Sequence, residues 1–177
     1  MAEQRYKKMP PIMAKRHEIL IKVYNKLKND NSLVRRLFDF NKTVHADLDL
    51  SWIDESFQKK EIGSLSDYQI VIATVKAGQT SDAHLHEKGA SSFIVLGEKT
   101  GFNNPKHLEF RTGILDFPSL KVKKIGEVKC SEEMEMDIPS NIVHQFENKG
   151  KEDANILIVT HPIIYVKEGE EDIHFAF

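Results

Sequence analysis

The spacing of hydrophobic and polar positions changes near residue 68. Before that point, apolar residues recur every three or four positions between lysines and arginines, which indicates an amphipathic helix starting at Pro11. Residues 29–32 stop this helix, and Ser32 is a suitable cap for a second predicted helix, LVRRLFDF. We therefore predict an N-terminal helical extension over 1–50 and one β domain over 51–177. The apolar stripe of the first helix comprises Ile12, Ile19, Leu20, Val23 and Leu27.

Short β-branched and aromatic runs, separated by Gly, Asn, Pro and Asp, follow from Tyr68 onward. Many short strands with such turns are typical of a sandwich or barrel. Trp52 lies in a segment predicted to cover the core, and EEDIHFAF at the end is predicted as a last strand. The predicted strands contain YQIVIATV, SSFIVL, HLEF, LKVKKIGEV, IVHQF, NILIVT and IIYV, with Tyr68, Ile70, Ile72, Phe93, Phe146 and Ile158 as core candidates.

Composition limits the class of protein. The chain has 177 residues, 40% hydrophobic and 29% charged, which fits one globular domain with a modest appendage. Cys130 is the one cysteine, so no internal disulfide forms, and a reducing, cytoplasmic location is expected. No apolar run approaches the roughly 20 residues of a membrane helix, so no membrane partner is expected.

Charge is uneven along the chain. Residues 1–36 hold ten Lys/Arg against three Asp/Glu, whereas the rest of the chain is acidic. A basic segment can contact nucleic acid or an acidic membrane surface. No recognition motif supports nucleic acid as a partner. We therefore favour a basic helix that lies against an acidic β domain, either in the same chain or across a dimer.

Three histidines are the candidate chemical centre. In a strand, residues two apart project from the same face, so His84 and His86 point together. Imidazoles in this arrangement can bind one metal ion when a third ligand approaches from elsewhere. His144, in its own β-like run, is the candidate third ligand. The alternative is a polar barrel interior without metal.

Two spaced motifs carry a resemblance to the cupin superfamily. The first is glycine, five residues, His-x-His, three or four residues, glutamate, six residues and glycine. It reads Gly78, His84, His86 and Gly97 here, with the glutamate missing. The second is Pro-x-Gly, two residues, histidine, three residues and asparagine. It reads Pro139, Asn141, His144 and Asn148 here, with asparagine in place of the glycine, and asparagine also tolerates positive φ.

The resemblance implies a mainly β fold, a double-stranded β-helix or jelly-roll barrel, preceded here by the two predicted helices. It implies His84, His86 and His144 as metal ligands. The glutamate position falls on Ala90, or on Ser91 if the loop is one residue longer, and neither is a competent ligand. The stretch between the motifs is long enough to hold an extra hairpin. The resemblance also implies a homodimer.

The all-histidine ligand set resembles that of thiol and diketone dioxygenases, both cupins. This favours Fe(II), although three imidazoles also suit Zn, Ni, Mn or Cu. The thiol enzymes hold the substrate carboxylate with an arginine on an upstream strand, and no arginine stands on the equivalent strand here.

The sequence thus indicates a metal-binding cupin, in its most specific form a non-haem iron dioxygenase for a small organic molecule. The alternatives are a non-catalytic ligand-binding or sensor cupin, or a cupin isomerase or lyase. Whether the protein is an enzyme stays open at this point.

Other residues of the right chemistry are assigned structural roles. Glu87 would project away from the paired histidines and is interpreted as a solvated charge. Cys130 has no histidine partner identifiable in the sequence and is interpreted as a plain buried or turn residue. His161 could line the pocket or orient a metal ligand through a hydrogen bond, but a surface or packing role is the favoured interpretation. The remaining residues of this kind, all interpreted as surface or packing residues, are Glu98, Glu109, Glu147 and His107.

Overall fold

A computed structural model describes residues 10–30, 34–40, 43–48, 67–87, 89–116, 119 and 121–161; of residues 12, 35–40 and 43–47 only the backbone is described. One α-helix, one 3-10 helix (Glu98–Thr100) and nine strands occur in these ranges. They are α1 (Pro11–Asn29), β1 (Val34–Phe40), β2 (Thr43–Leu48), β3 (Gln69–Val75), β4 (Ala90–Val95), β5 (Leu108–Asp116), β6 (Lys121–Lys129), β7 (Glu135–Ile138), β8 (Val143–Asn148) and β9 (Ala154–His161).

The strands form two antiparallel sheets. A six-stranded sheet has the order β1-β2-β3-β9-β4-β7, and a three-stranded sheet has the order β6-β5-β8. The predicted mainly β class is confirmed, and the hairpin expected between the two motifs is formed by β5 and β6. Trp52, IIYV and EEDIHFAF lie outside the described residues.

Two hydrophobic cores share the six-stranded sheet. One face of the sheet packs under α1, where Ile19, Leu20 and Val23 are fully buried. The other face packs against the three-stranded sheet around Phe93 and Phe146. Because both faces of the central strands are covered, their sequences are continuously apolar rather than alternating. The predicted core is confirmed, but Tyr68, Ile70 and Ile72 belong to the helix side and not to the barrel interior.

Helix α1 lies against an acidic strand of the same chain. His17 Nε2 is 3.1 Å from a Glu135 carboxylate oxygen, and the Tyr24 hydroxyl donates to Glu133 at 2.9 Å. Lys28 adds a longer ion pair with Glu133 at 4.0 Å. Helix α1, the described helical part of the basic segment, thus lies against the β sheet of the same chain. In the part of the chain that the structure describes, no helix is long and apolar enough to cross a membrane.

The predicted second helix is wrong. Residues 34–40 form strand β1, which pairs antiparallel with β2, and β2 continues the sheet by pairing with β3. An eight-residue run with several apolar positions fits either period, so a neighbouring strand decides its conformation. The division at residue 50 stays a prediction, and β1 and β2 lie on its N-terminal side.

Candidate metal centre

The two histidine-bearing segments run side by side. After β3, the chain returns antiparallel to β8, with bridges at Thr80–Glu147 and His84–His144. His84 and His144 exchange backbone hydrogen bonds of 3.2 and 2.8 Å. Directly paired residues in such a ladder project from the same face. The pairing therefore places both imidazoles together, and His86 follows two residues further along the same segment.

The three imidazoles converge. Their ring centroids are 4.3 Å apart for His84 and His144, and 5.0 Å apart for each of these with His86. One ring nitrogen from each residue lies within 4.8 Å of the other two. The convergence that a shared ion requires is present. That the cluster binds metal stays a prediction.

Backbone carbonyls determine which nitrogen of two rings carries the proton. Nδ1 of His84 lies 3.0 Å from the Asp82 carbonyl oxygen, and Nδ1 of His144 lies 3.0 Å from the Ile142 carbonyl oxygen. A carbonyl only accepts, so Nδ1–H donates in both rings and Nε2 keeps its lone pair. Orientation of a ligating histidine by a carbonyl on its other nitrogen is the usual arrangement in metal sites.

Burial keeps two of the imidazoles uncharged. Desolvation lowers the pKa of His86 to about 4, with a smaller contribution from His84. Desolvation, reinforced by His84 and His86, also holds the pKa of His144 well below its usual value. A metal ion binds the neutral imidazole, so His86 and His144 are in the ligating form at neutral pH without giving up a proton.

The donor set fits one divalent ion. Two nitrogens that each bind an ion at about 2.1 Å lie at most about 4.2 Å apart. The nitrogens here lie within 4.8 Å of one another, so a small rotation of the rings closes the cluster to bonding distance. Three neutral nitrogen donors suit iron, zinc, nickel or copper rather than the oxygen-preferring magnesium and calcium.

An aromatic layer lies beside the cluster. The rings of Phe110 and His144 have centroids 6.5 Å apart, and Phe110 contacts Phe93 and Phe146 at 5.5 and 4.7 Å. On β5, Thr112 is the residue directly opposite His144. The His144 side of the centre therefore adjoins an apolar ring, which lowers the local dielectric there.

The strand register settles which residue stands at the carboxylate position of the first motif. Phe93 belongs to the core between the sheets and Ile94 to the core under the helix. Since side chains alternate along a strand, Ser91 shares the barrel face with Phe93, and Ala90 faces the helix side. The Ser91 hydroxyl is hydrogen bonded to Thr160 at 2.8 Å. Ser91, whose hydroxyl is hydrogen bonded to Thr160, thus stands on the barrel face where the first motif has a carboxylate.

The two asparagines of the second motif have backbone roles. Asn141 has φ of 63°, as the replacement of glycine suggested, and its N–H donates to the His86 carbonyl at 2.8 Å. Asn148 is buried, and its amide donates to the Val75 and Glu152 carbonyls at 3.0 and 2.8 Å. One asparagine ties the turn to a metal-ligand candidate, and the other fastens the end of β8.

The remaining candidates are not members of the histidine cluster. Glu87 is exposed, as predicted. Glu109 and Glu147 are not simply solvated, because both form ion pairs with Arg111, and Glu109 accepts from Lys149 at 2.6 Å. Glu98 and His107 are exposed. Cys130 is buried, and burial raises the pKa of its thiol to about 12, so it stays protonated.

Comparison with known proteins identifies the fold. No family model matches the sequence, and no curated protein matches it. The capsular polysaccharide assembling protein CapF from Staphylococcus aureus superposes with a TM-score of 0.50 and 14% identity, over 82% of this chain and 33% of CapF. The Schizosaccharomyces pombe Cnp3 cupin domain superposes with a TM-score of 0.42 and 11% identity, over 73% of this chain and 69% of that domain. The chain spans about a third of the CapF chains it matches. The fold is that of the cupins, with a three-histidine cluster in it.

Proposed function

We propose that this protein is a cupin that binds one divalent metal ion through His84, His86 and His144. The observation that carries the proposal is the convergence of three ring nitrogens within 4.8 Å. Carbonyl-bound Nδ1 atoms leave the Nε2 lone pairs of His84 and His144 free for the ion. The motif resemblance supports the same three residues.

Within this class, we favour a non-haem iron dioxygenase that acts on a small organic molecule. When bound, ferrous iron would supply a Lewis acid with coordination positions open to substrate and oxygen. Three neutral histidines leave the charge of the ion uncompensated, in contrast to the two-histidine, one-carboxylate set. The Phe110 ring beside His144 would keep water from that side of the centre and give it an apolar wall.

Metal analysis of the full chain, purified without a histidine tag, tests the first proposal. We expect about one divalent ion per chain after anaerobic loading with Fe(II) and removal of unbound metal, because three aligned donors form one site. Inductively coupled plasma mass spectrometry gives both the amount and the element. Metal below about a tenth of the chain concentration after loading would exclude the proposed site.

The alternative is a non-catalytic cupin that binds a ligand or acts as a sensor. It is supported by Ser91, which stands where the first motif has a carboxylate and is bound to Thr160. Oxygen uptake by the Fe(II)-loaded protein with a β-diketone or a small aliphatic thiol favours the dioxygenase. A metabolite that stabilises the metal-free chain, without oxygen uptake, favours the alternative. Isomerase or lyase chemistry on the same scaffold would turn over substrate without consuming oxygen.

We also propose that the protein works in the cytoplasm as a homodimer. Three large apolar side chains are exposed among the described residues, and all lie on the β5–β6 hairpin: Ile114, Ile125 and Val128. Apolar groups concentrated on one hairpin favour association with another surface. We expect light scattering of the full chain at micromolar concentration to give about twice the mass of 20.3 kDa. A mass equal to one chain under these conditions would rule out the dimer.

A further inference from the structure

A second group of polar side chains lies under α1, on the face of the six-stranded sheet opposite the barrel. Arg16 of α1 is 5% exposed, and its Nε–H donates to the Ser92 hydroxyl at 3.3 Å. Ser92 shares the helix-side face with Ile94, because side chains alternate along β4. The sheet itself therefore separates this arginine from the three-histidine cluster.

The Arg16 guanidinium has donors that the described residues do not use. The Ser92 hydroxyl donates to Asp137, so serine stands between the arginine and the nearest carboxylate of β7. Among the described residues, Arg16 forms no direct ion pair, and its Nη groups donate no hydrogen bond. A guanidinium has five N–H donors in a planar fork, so the Nη donors are available to an acceptor that a ligand brings.

Two further groups with unused hydrogen-bonding capacity lie at the same end of the sheet. Tyr68 and His161 have ring centroids 4.5 Å apart. Nδ1 of His161 is buried without a hydrogen-bond partner. Tyr68 is 7% exposed, and its hydroxyl forms no hydrogen bond among the described residues. A buried nitrogen without a partner, such as Nδ1 of His161, is rare in native proteins, and a bound ion or molecule is one explanation of it.

Strand register brings these groups to one place. His161 pairs with Ala90, and its neighbour on the same face, Val159, pairs with Ser92. Diagonal positions of this kind are about 7–8 Å apart, which long side chains span. The hydroxyl that anchors Arg16 and the imidazole of His161 are therefore diagonal neighbours on one face. Ala90, whose side chain is small, stands directly opposite the imidazole.

We propose that Arg16, Tyr68 and His161 form a binding site for a small monocarboxylate ligand. A carboxylate is an acceptor with two oxygens, and it matches the two Nη donors of a guanidinium in a bidentate pair. The Tyr68 hydroxyl and an Nδ1–H of His161 supply the further donors. Burial lowers the pKa of His161, so the ring is neutral and can donate through Nδ1.

The charges around the proposed site favour a ligand with a single negative charge over a dianion. Lys15 and Arg16 act on His161 from the helix side, and Asp67 acts on it from the start of β3. Asp137 acts on the guanidinium. Two carboxylates balance two cations here, so a ligand with one negative charge meets less electrostatic repulsion than a dianion such as phosphate. The proposal does not involve the histidine cluster of the barrel and stands independently of metal binding.

Titration of the ¹⁵N-labelled full chain with sodium acetate tests the proposal. We expect a saturable shift of the His161 ring nitrogens, assigned from the spectrum of His161→Gln, and a higher midpoint of thermal unfolding than in sodium chloride of equal ionic strength. Sodium phosphate is the dianion comparison and is expected to act less strongly. Responses that are the same in acetate and chloride would overturn the proposal.

Two conservative variants separate specific recognition from general attraction. Arg16→Lys keeps the charge but removes the planar fork, and Tyr68→Phe keeps the ring contact but removes the hydroxyl. A hydrogen bond to a charged group corresponds to roughly tenfold or more in affinity, so each variant should weaken acetate binding at least about tenfold. Lys15→Gln, the matched loss of a neighbouring charge, should weaken it less. Acetate affinity unchanged in both Arg16→Lys and Tyr68→Phe would refute the assignment, and Tyr68→Phe remains informative if Arg16→Lys does not fold.

Discussion

Replacing His86 with alanine is expected to abolish metal binding and leave the fold intact. His86 lies 5.0 Å, between ring centroids, from both His84 and His144, so its loss leaves two donors on one side of the site. Changing a partner outside the ligand shell already costs about 10–100-fold in metal affinity, and losing a ligand should cost at least a hundredfold. Metal content after loading with Fe(II) and desalting should fall from about one ion per chain to below about a tenth.

His86 is a cleaner position for this test than His144. The His144 ring is 4% exposed and its Nδ1–H is bound to the Ile142 carbonyl, so truncation there opens a cavity and frees a buried acceptor. His107→Ala is the matched control, because it removes an exposed histidine and should keep the full metal content. Circular dichroism establishes that each variant is folded. Wild-type metal content in folded His86→Ala protein would contradict a site built on this residue.

The local part of the site could be predicted from the sequence. The two-residue spacing of His84 and His86 places both rings on one face of an extended segment. The long-range part could not be derived from periodicity, because nothing local shows that residue 144 pairs with residue 84. The motif resemblance supplied it, and the backbone hydrogen bonds between these residues provide the physical basis.

The carboxylate position shows where spacing alone leaves an ambiguity. One residue in the length of the loop decides whether Ala90 or Ser91 faces the barrel, since a shift by one reverses every side chain of a strand. Only the pairing of β4 with β9 and β7 resolves it. The same pairing places Ser92 on the helix side. The environment of Arg16 therefore could not be predicted from the sequence, in which this residue is one of several cations on α1.

The predicted secondary structure was wrong or missing where pairing with adjacent strands determines the conformation of a segment. Residues 34–40 contain apolar positions at both helical and strand spacing, and pairing with β2 makes them a strand. Strand β7 was not predicted, although its acidic and apolar residues alternate. Glu135 lies against His17 on the helix side, and Met136 packs in the core between the sheets. Polar and apolar residues do alternate with a period of two here, but acidic residues are uncommon in strands, so the alternation did not indicate a strand.

Truncating Phe93 to alanine is expected to destabilise the fold by about 3–5 kcal/mol. Phe93 is 1% exposed and contacts the rings of Phe110 and Phe146 edge to face, each with centroids 5.5 Å apart. The variant loses the transfer free energy of the ring, leaves a cavity, and loses two aromatic contacts of about 0.5–1.5 kcal/mol each that contribute within that total. Typical domains have about 5–15 kcal/mol of stability, so the loss is a large fraction of it.

Urea unfolding of the metal-free chain, followed by far-ultraviolet circular dichroism, measures this loss without the added stability that a bound ion provides. Lys106→Ala is the control. Its side chain is exposed, and its truncation should change the stability by no more than about 0.5 kcal/mol. A loss below about 1 kcal/mol for Phe93→Ala would mean that the three rings do not pack as described. Phe110, which contacts both Phe93 and the His144 ring, would then no longer be held against the proposed site.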